Sequence, residues 1–176
     1  MRHESIPQLD RGIKNLVLAL NARGIPTSGS CEGHVDHGSP APWIKVRLAG
    51  KTMQRGGRIR RRSNANNEQE RISRYLRLFY RNRRVRSDAR IVIDKVHAGF
   101  RIHNGGNAYV SWRNLVNRNA TRIRRGQKAR AYISGGKVYR SARISRFRRE
   151  MRAFAAFLNQ QSRERNLDRP ADRQLS

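Results

Sequence analysis

The chain has 176 residues, with 40 Lys plus Arg against 12 Asp plus Glu, a formal net charge of +28. Self-repulsion on that scale opposes compaction unless a polyanion supplies counter-charge; nucleic acid does so with a further gain, because each neutralised phosphate releases condensed counterions. A membrane partner is disfavoured, since no apolar run approaches the roughly 18 residues of a spanning helix and Met1–Ser5 opens no apolar signal region.

The basic excess is mostly arginine, with Lys14, Lys45, Lys51, Lys95, Lys128 and Lys137 as the minority. Arginine grips phosphate with two parallel hydrogen bonds and stacks on bases. That favours a structured or single-stranded nucleic acid with reachable bases, although GC-rich codon usage produces the same bias. The apolar share of 36% is low but clustered, enough for a modest core. Cys31 is the single cysteine, which excludes an intrachain disulfide and points to a reducing, cytoplasmic setting.

Along the chain, Leu9, Ile13, Leu16, Val17 and Leu20 recur at helical spacing. Gly24 stops that helix and Pro26 prevents its resumption. Ile25–Ser30 reads as a strand, and a Gly-, His- and Pro-rich loop from Cys31 to Pro42 leads to Trp43–Leu48, whose alternation of apolar and basic residues is that of a half-buried strand. Residues 1–49 thus form a helix-strand-strand half. Residues 50–67, with Arg58, Arg60, Arg61 and Arg62, read as a basic flexible linker.

A second half spans 68–162. It opens with a helix over about 66–83, with Ile72, Tyr75, Leu76 and Phe79 on its apolar face and Arg71, Arg74, Arg77 and Arg81 mostly around the other side. Arg83 and Arg84 follow. Residues 89–93 and 99–103 read as two strands joined at His97–Gly99, so that helix, strand, strand occurs twice. Tyr109–Trp112 reads as a further short strand, next to Arg113. A second basic loop, 117–128, carries Arg118, Arg122, Arg124 and Arg125. Residues 129–133 and 137–140 then flank Ser134-Gly135-Gly136 as a hairpin. The last helix, about 145–162, has the stripe Phe147, Met151, Phe154, Ala155 and Leu158, and 163–176 is a polar tail. The expected class is α+β: an antiparallel sheet covered by two or three helices, with basic flexible loops.

Thr27–His34 is the least ordinary stretch: a Cys, a Glu and a His in a glycine-punctuated loop after a strand, where sites are often built. Three readings stand side by side. Cys31, His34 and His37 could ligate zinc, with a fourth ligand from Glu32, Asp36, His97 or His103. Cys31 could be a nucleophile activated by His34, with Glu32 nearby, as the centre of a nucleic-acid-modifying enzyme. Or Cys31 is a small buried hydrophobe at a strand end and the loop shapes a turn or cups a phosphate. A paired-carboxylate nuclease built on Asp88, Asp94, Glu68 and Glu70 has less support, and no Walker loop is present.

The run from the first helix through Gly24-Ile25-Pro26-Thr27-Ser28-Gly29-Ser30-Cys31-Glu32-Gly33-His34 resembles the start of the wybutosine-synthesis tRNA methyltransferase family. It also resembles small uncharacterised bacterial and phage proteins with a Ser-Cys-x-Gly-His motif followed by an aromatic strand, here Pro42-Trp43-Ile44. The methyltransferase resemblance implies an α/β fold, S-adenosylmethionine binding and action on tRNA. It covers about 25 of the 176 residues and matches at Ser30, Cys31 and Gly33, while Glu32 and His34 stand where that family has Ser and Arg.

The reading that absorbs most of these features is a non-catalytic RNA-binding subunit of a ribonucleoprotein, with DNA or an acidic protein as rival partners. Its expected contacts are the arginines of the two basic segments, Arg74, Arg77, Arg81, Arg83, Arg84 and Arg113, together with Trp112, Arg130, Tyr132, Tyr139 and Arg140, since aromatics beside arginines are what base stacking requires.

Overall fold

The computed structural model describes residues 9–35, 38–47, 65–96, 99–118 and 137–167. In chain order the elements are α1 (Lys14–Asn21), β1 (Thr27–Cys31), β2 (Trp43–Arg47), α2 (Ala65–Phe79), β3 (Val92–Val96), β4 (Gly99–His103), α3 (Gly106–Arg118) and α4 (Lys137–Leu167). The strands form one antiparallel sheet in the order β1-β2-β4-β3. Each of the first two helices precedes a strand pair, and β2 meets β4 at the centre, so the repeated helix-strand-strand order becomes a pseudo-twofold arrangement of two units in one sheet.

The first helix ends as its sequence requires. The Gly24 N–H reaches the Asn21 carbonyl at 2.9 Å and the Ile25 N–H reaches that of Leu20 at 3.1 Å. With Gly24 at φ 67° this is a Schellman motif, and it turns Ile25 into the core. Residues in register share a face of the sheet. Ile44, Val46, Phe100, Ile102 and Ile93 therefore occupy one face, where they meet Leu16, Leu20, Ile72, Phe79, Met151, Phe154 and Leu158 from α1, α2 and α4 in a continuous apolar cluster. Both halves of the chain contribute to that core.

Several boundaries differ from the sequence expectation, for physical reasons. Residues 109–112 are helical, inside α3, despite their strand-like composition. Tyr109 is fully buried, its ring stacked on His103 with centroids 3.9 Å apart, and that packing overrides a propensity difference of a few tenths of a kcal/mol per residue. Lys137–Arg140, expected as a hairpin strand, is the first turn of α4; extending an existing helix avoids the cost of nucleating a new element. The expected partner strand at 129–133 lies outside the described residues.

At its other end α4 runs through Leu167 into the expected polar tail, because Gln160, Gln161, Arg163, Glu164 and Arg165 are good helix formers. Likewise α2 begins at Ala65, inside the expected linker, and stops at Phe79. The third strand begins at Val92 because Ala89 and Ile91 are used in the preceding turn. Both are buried, and the Ile91 N–H donates to the Tyr80 hydroxyl at 2.9 Å.

Candidate functional site

Three places bring chemistry-bearing side chains together. The first is the sheet face opposite the main core. Trp43, Lys45, Arg101, His103 and Asp94 share it by register, and α3 covers its β4–β3 side. The Arg101 guanidinium lies over the Trp43 ring at 4.8 Å and donates to the Tyr109 hydroxyl at 3.4 Å. The His103 Nε2 lies 2.8 Å from Asp94 Oδ2, its Nδ1 3.3 Å from the Asn104 carbonyl, and Arg113 also donates to Asp94 Oδ2. Tyr109 and Arg113, one helical turn apart, thus address the His103–Asp94 pair together.

Burial pushes the His103 imidazole below its ordinary range, outweighing the nearby Asp94 carboxylate. The neutral ring then donates from Nε2 to Asp94. The unfolded chain binds the proton more readily, so the native state loses stability as the pH falls below the unfolded value of 6.5 toward the folded one. Melting temperatures measured from pH 7.5 downward should fall more steeply for the wild type than for His103→Gln. Parallel curves would show that His103 does not titrate differently in the two states.

The second place is the outer surface of the helical layer. Arg74, Arg77 and Arg81 follow one another at i, i+3 and i+7 along α2 and the turn that ends it, a stripe within about 60° of arc, and all three are exposed. On the neighbouring α4, Arg149 and Arg152 are exposed too. Phe79 of α2 packs 5.2 Å from Phe154 of α4, so the two helices lie side by side over the sheet. Among the described residues these five arginines have no ion-pair partner.

Four carboxylates are engaged elsewhere: Glu150 with Arg83 at 2.9 Å, Asp88 with Arg143 at 2.9 Å and Arg86 at 3.5 Å, Asp94 with Arg113 and His103, and Glu32 with Arg148 at 2.9 Å. Arg83 and Arg113, expected as nucleic-acid contacts, therefore hold internal carboxylates. Asp88 and Asp94, the acids of the nuclease reading, are bound to separate partners: Asp88 to Arg143 and Arg86, Asp94 to Arg113 and His103.

Of the other expected contacts, Arg84 and Tyr139 are exposed and Arg140 is half-buried. The Arg143 guanidinium lies 5.9 Å from the Tyr139 ring centroid. Trp112 and Arg118 fall within α3. Arg58, Arg60, Arg61, Arg62, Arg122, Arg124, Arg125, Arg130 and Tyr132 lie outside the described residues, as do Asp36, His37 and His97 of the expected zinc donors. Tyr75 and Phe79 are buried in the core, as their helical spacing predicts.

The third place is the loop after β1. Glu32 is its anchor: one carboxylate oxygen accepts from the Gly12 N–H at 2.8 Å and the other from Arg148 at 2.9 Å. Arg148 also donates to the carbonyls of Glu32 at 3.0 Å and Gly33 at 2.7 Å. Gly33 has φ 79°, and a Cβ there would lie 2.8 Å from the Ala41 carbonyl carbon, so only glycine fits. Asp10, Cys31 and His34 present ligand atoms that all lie within 4.8 Å of one another.

Burial raises the Cys31 thiol above its ordinary range, and the Asp10 and Glu32 carboxylates push it the same way, against the Gly33 N–H that donates to its sulfur. An activated nucleophile needs the opposite shift. Asp10 is not legible in the sequence as a partner of this loop, since it lies 22 residues before Glu32. The three donors come together only when the segment before α1 folds against the end of β1.

No family model, no curated protein and no solved structure matches this chain.

Proposed function

We propose that this protein binds nucleic acid through its phosphate backbone, RNA in preference to DNA, as a cytoplasmic subunit of a ribonucleoprotein. One observation carries the reading. In a chain of net charge +28, the described ion pairs occupy Glu32, Asp88, Asp94 and Glu150, while Arg74, Arg77 and Arg81 stay exposed and unpaired among the described residues on one side of the α2 segment. Arg149 and Arg152 of α4 are exposed as well. The basic segments around Arg58–Arg62 and Arg118–Arg125 extend the same electrostatic footprint in sequence. Among the described residues no helix is long and apolar enough to cross a membrane.

Fluorescence anisotropy with nuclease-treated protein tests the reading. A labelled single-stranded RNA should bind at sub-micromolar concentration in 0.1 M salt, more tightly than single-stranded or duplex DNA of the same sequence. Absence of binding to all three at micromolar protein would refute the proposal, and tighter binding to duplex DNA would overturn the preference for RNA.

A further inference from the structure

We propose that Asp10, Cys31 and His34 form a zinc site, in which the Asp10 carboxylate, the Cys31 Sγ and the His34 imidazole bind the ion and water completes a tetrahedron. The three donor atoms lie within 4.8 Å of one another. Ligands at zinc distances of about 2.0–2.3 Å stand about 3.3–3.8 Å apart along a tetrahedral edge, so modest side-chain rotations close the site. All three residues are half-buried.

The framework that holds these donors is built without the ion. The Asp10 carbonyl accepts from the N–H groups of Ile13 at 3.1 Å and Lys14 at 3.0 Å, which fixes Asp10 at the entry to α1. Its Oδ2 accepts from the Glu32 N–H at 3.2 Å, the kind of outer hydrogen bond that orients a ligating carboxylate. Cys31 ends β1, in register with Trp43. The His34 N–H donates to the Ser39 carbonyl at 2.8 Å, and Arg148 and Gly12 clamp the intervening Glu32. The three ligands therefore come from two chain segments whose positions are set independently of metal.

Charge and ligand chemistry select the ion. Glu32 is neutralised by Arg148, and among the described residues Asp10 is paired with no Lys or Arg. Asp10 therefore brings to Cys31 and His34 a negative charge that no described Lys or Arg neutralises. Binding releases the Cys31 proton to solvent, and one thiolate plus one carboxylate balance the dication. Thiolate and imidazole together favour zinc over magnesium or calcium, which take all-oxygen sites. The ion would tie the segment before α1 to the end of β1.

Cobalt substitution tests the site in the intact protein. Stoichiometric Co²⁺ should produce the near-ultraviolet sulfur-to-metal charge-transfer band together with tetrahedral visible bands, and zinc should displace it. Cys31→Ser should abolish the charge-transfer band. Asp10→Asn, which preserves shape and one acceptor, should weaken zinc at least tenfold in competition with a chromophoric chelator. If Cys31→Ser fails to fold, the wild-type band and the Asp10→Asn affinity still decide the matter. Absence of the band in the wild type, or equal zinc affinity in Asp10→Asn, would overturn the assignment.

Discussion

Phe154→Ala should lower the free energy of unfolding by about 3–5 kcal/mol, the cost typical of deleting a fully buried aromatic side chain. Phe154 is 0% exposed and stands where α4, α2 and the sheet converge. Its ring is 5.2 Å from Phe79 and 6.3 Å from Phe157, centroid to centroid. The cavity has little to collapse into, because Phe79 is itself held between Tyr80 at 4.8 Å and the overlying Arg83 guanidinium at 4.6 Å. Domains are stable by only about 5–15 kcal/mol, so the variant should unfold at much lower urea in a chemical denaturation series. A loss under about 1 kcal/mol would mean that α4 does not share the core over the sheet.

The second large effect is on binding. Replacing Arg74, Arg77 and Arg81 together with Gln should weaken nucleic-acid binding by about 100-fold at 0.1 M salt, the loss expected for three phosphate contacts of about 0.7–0.9 log–log units each. Stability should hardly change. The three side chains are exposed, Gln is nearly as good a helix former as Arg, and surface substitutions of this kind fall within about 0.5 kcal/mol each. Unchanged affinity with an unchanged melting temperature would show that the stripe is a solvated face and that the contacts lie elsewhere.

Periodicity makes α1, α2 and the centre of α4 legible, because a stripe such as Leu16, Val17 and Leu20 has one solution: a helix laid on a core. The same holds for β2 and for the pair joined at 97–99. Where single residues work through distant partners, the sequence is silent. Tyr109 looks like part of a strand, and Arg113 like a nucleic-acid contact beside it, until His103 and Asp94 are placed beneath them. Ala89 and Ile91 carry a strand signature yet bury a turn. The basic charge is plain in composition, but not its division between structural arginines such as Arg83, Arg113, Arg143 and Arg148 and the unpaired stripe along α2. That division depends on which carboxylates the fold brings near. For the loop after β1 the sequence shows Cys31 and His34, whereas Asp10 enters only through the docking of the segment before α1.

The salt dependence of binding tests the central claim most directly. With a single-stranded RNA, the logarithm of the association constant should fall linearly with the logarithm of salt concentration, at about −0.7 per contacted phosphate. Contacts from Arg74, Arg77, Arg81, Arg149 and Arg152 alone give a total slope of at least about 3.5 in magnitude, and replacing the first three by Gln should reduce it by about 2. A total slope near −1, unaltered in the triple variant, would contradict electrostatic capture by this surface.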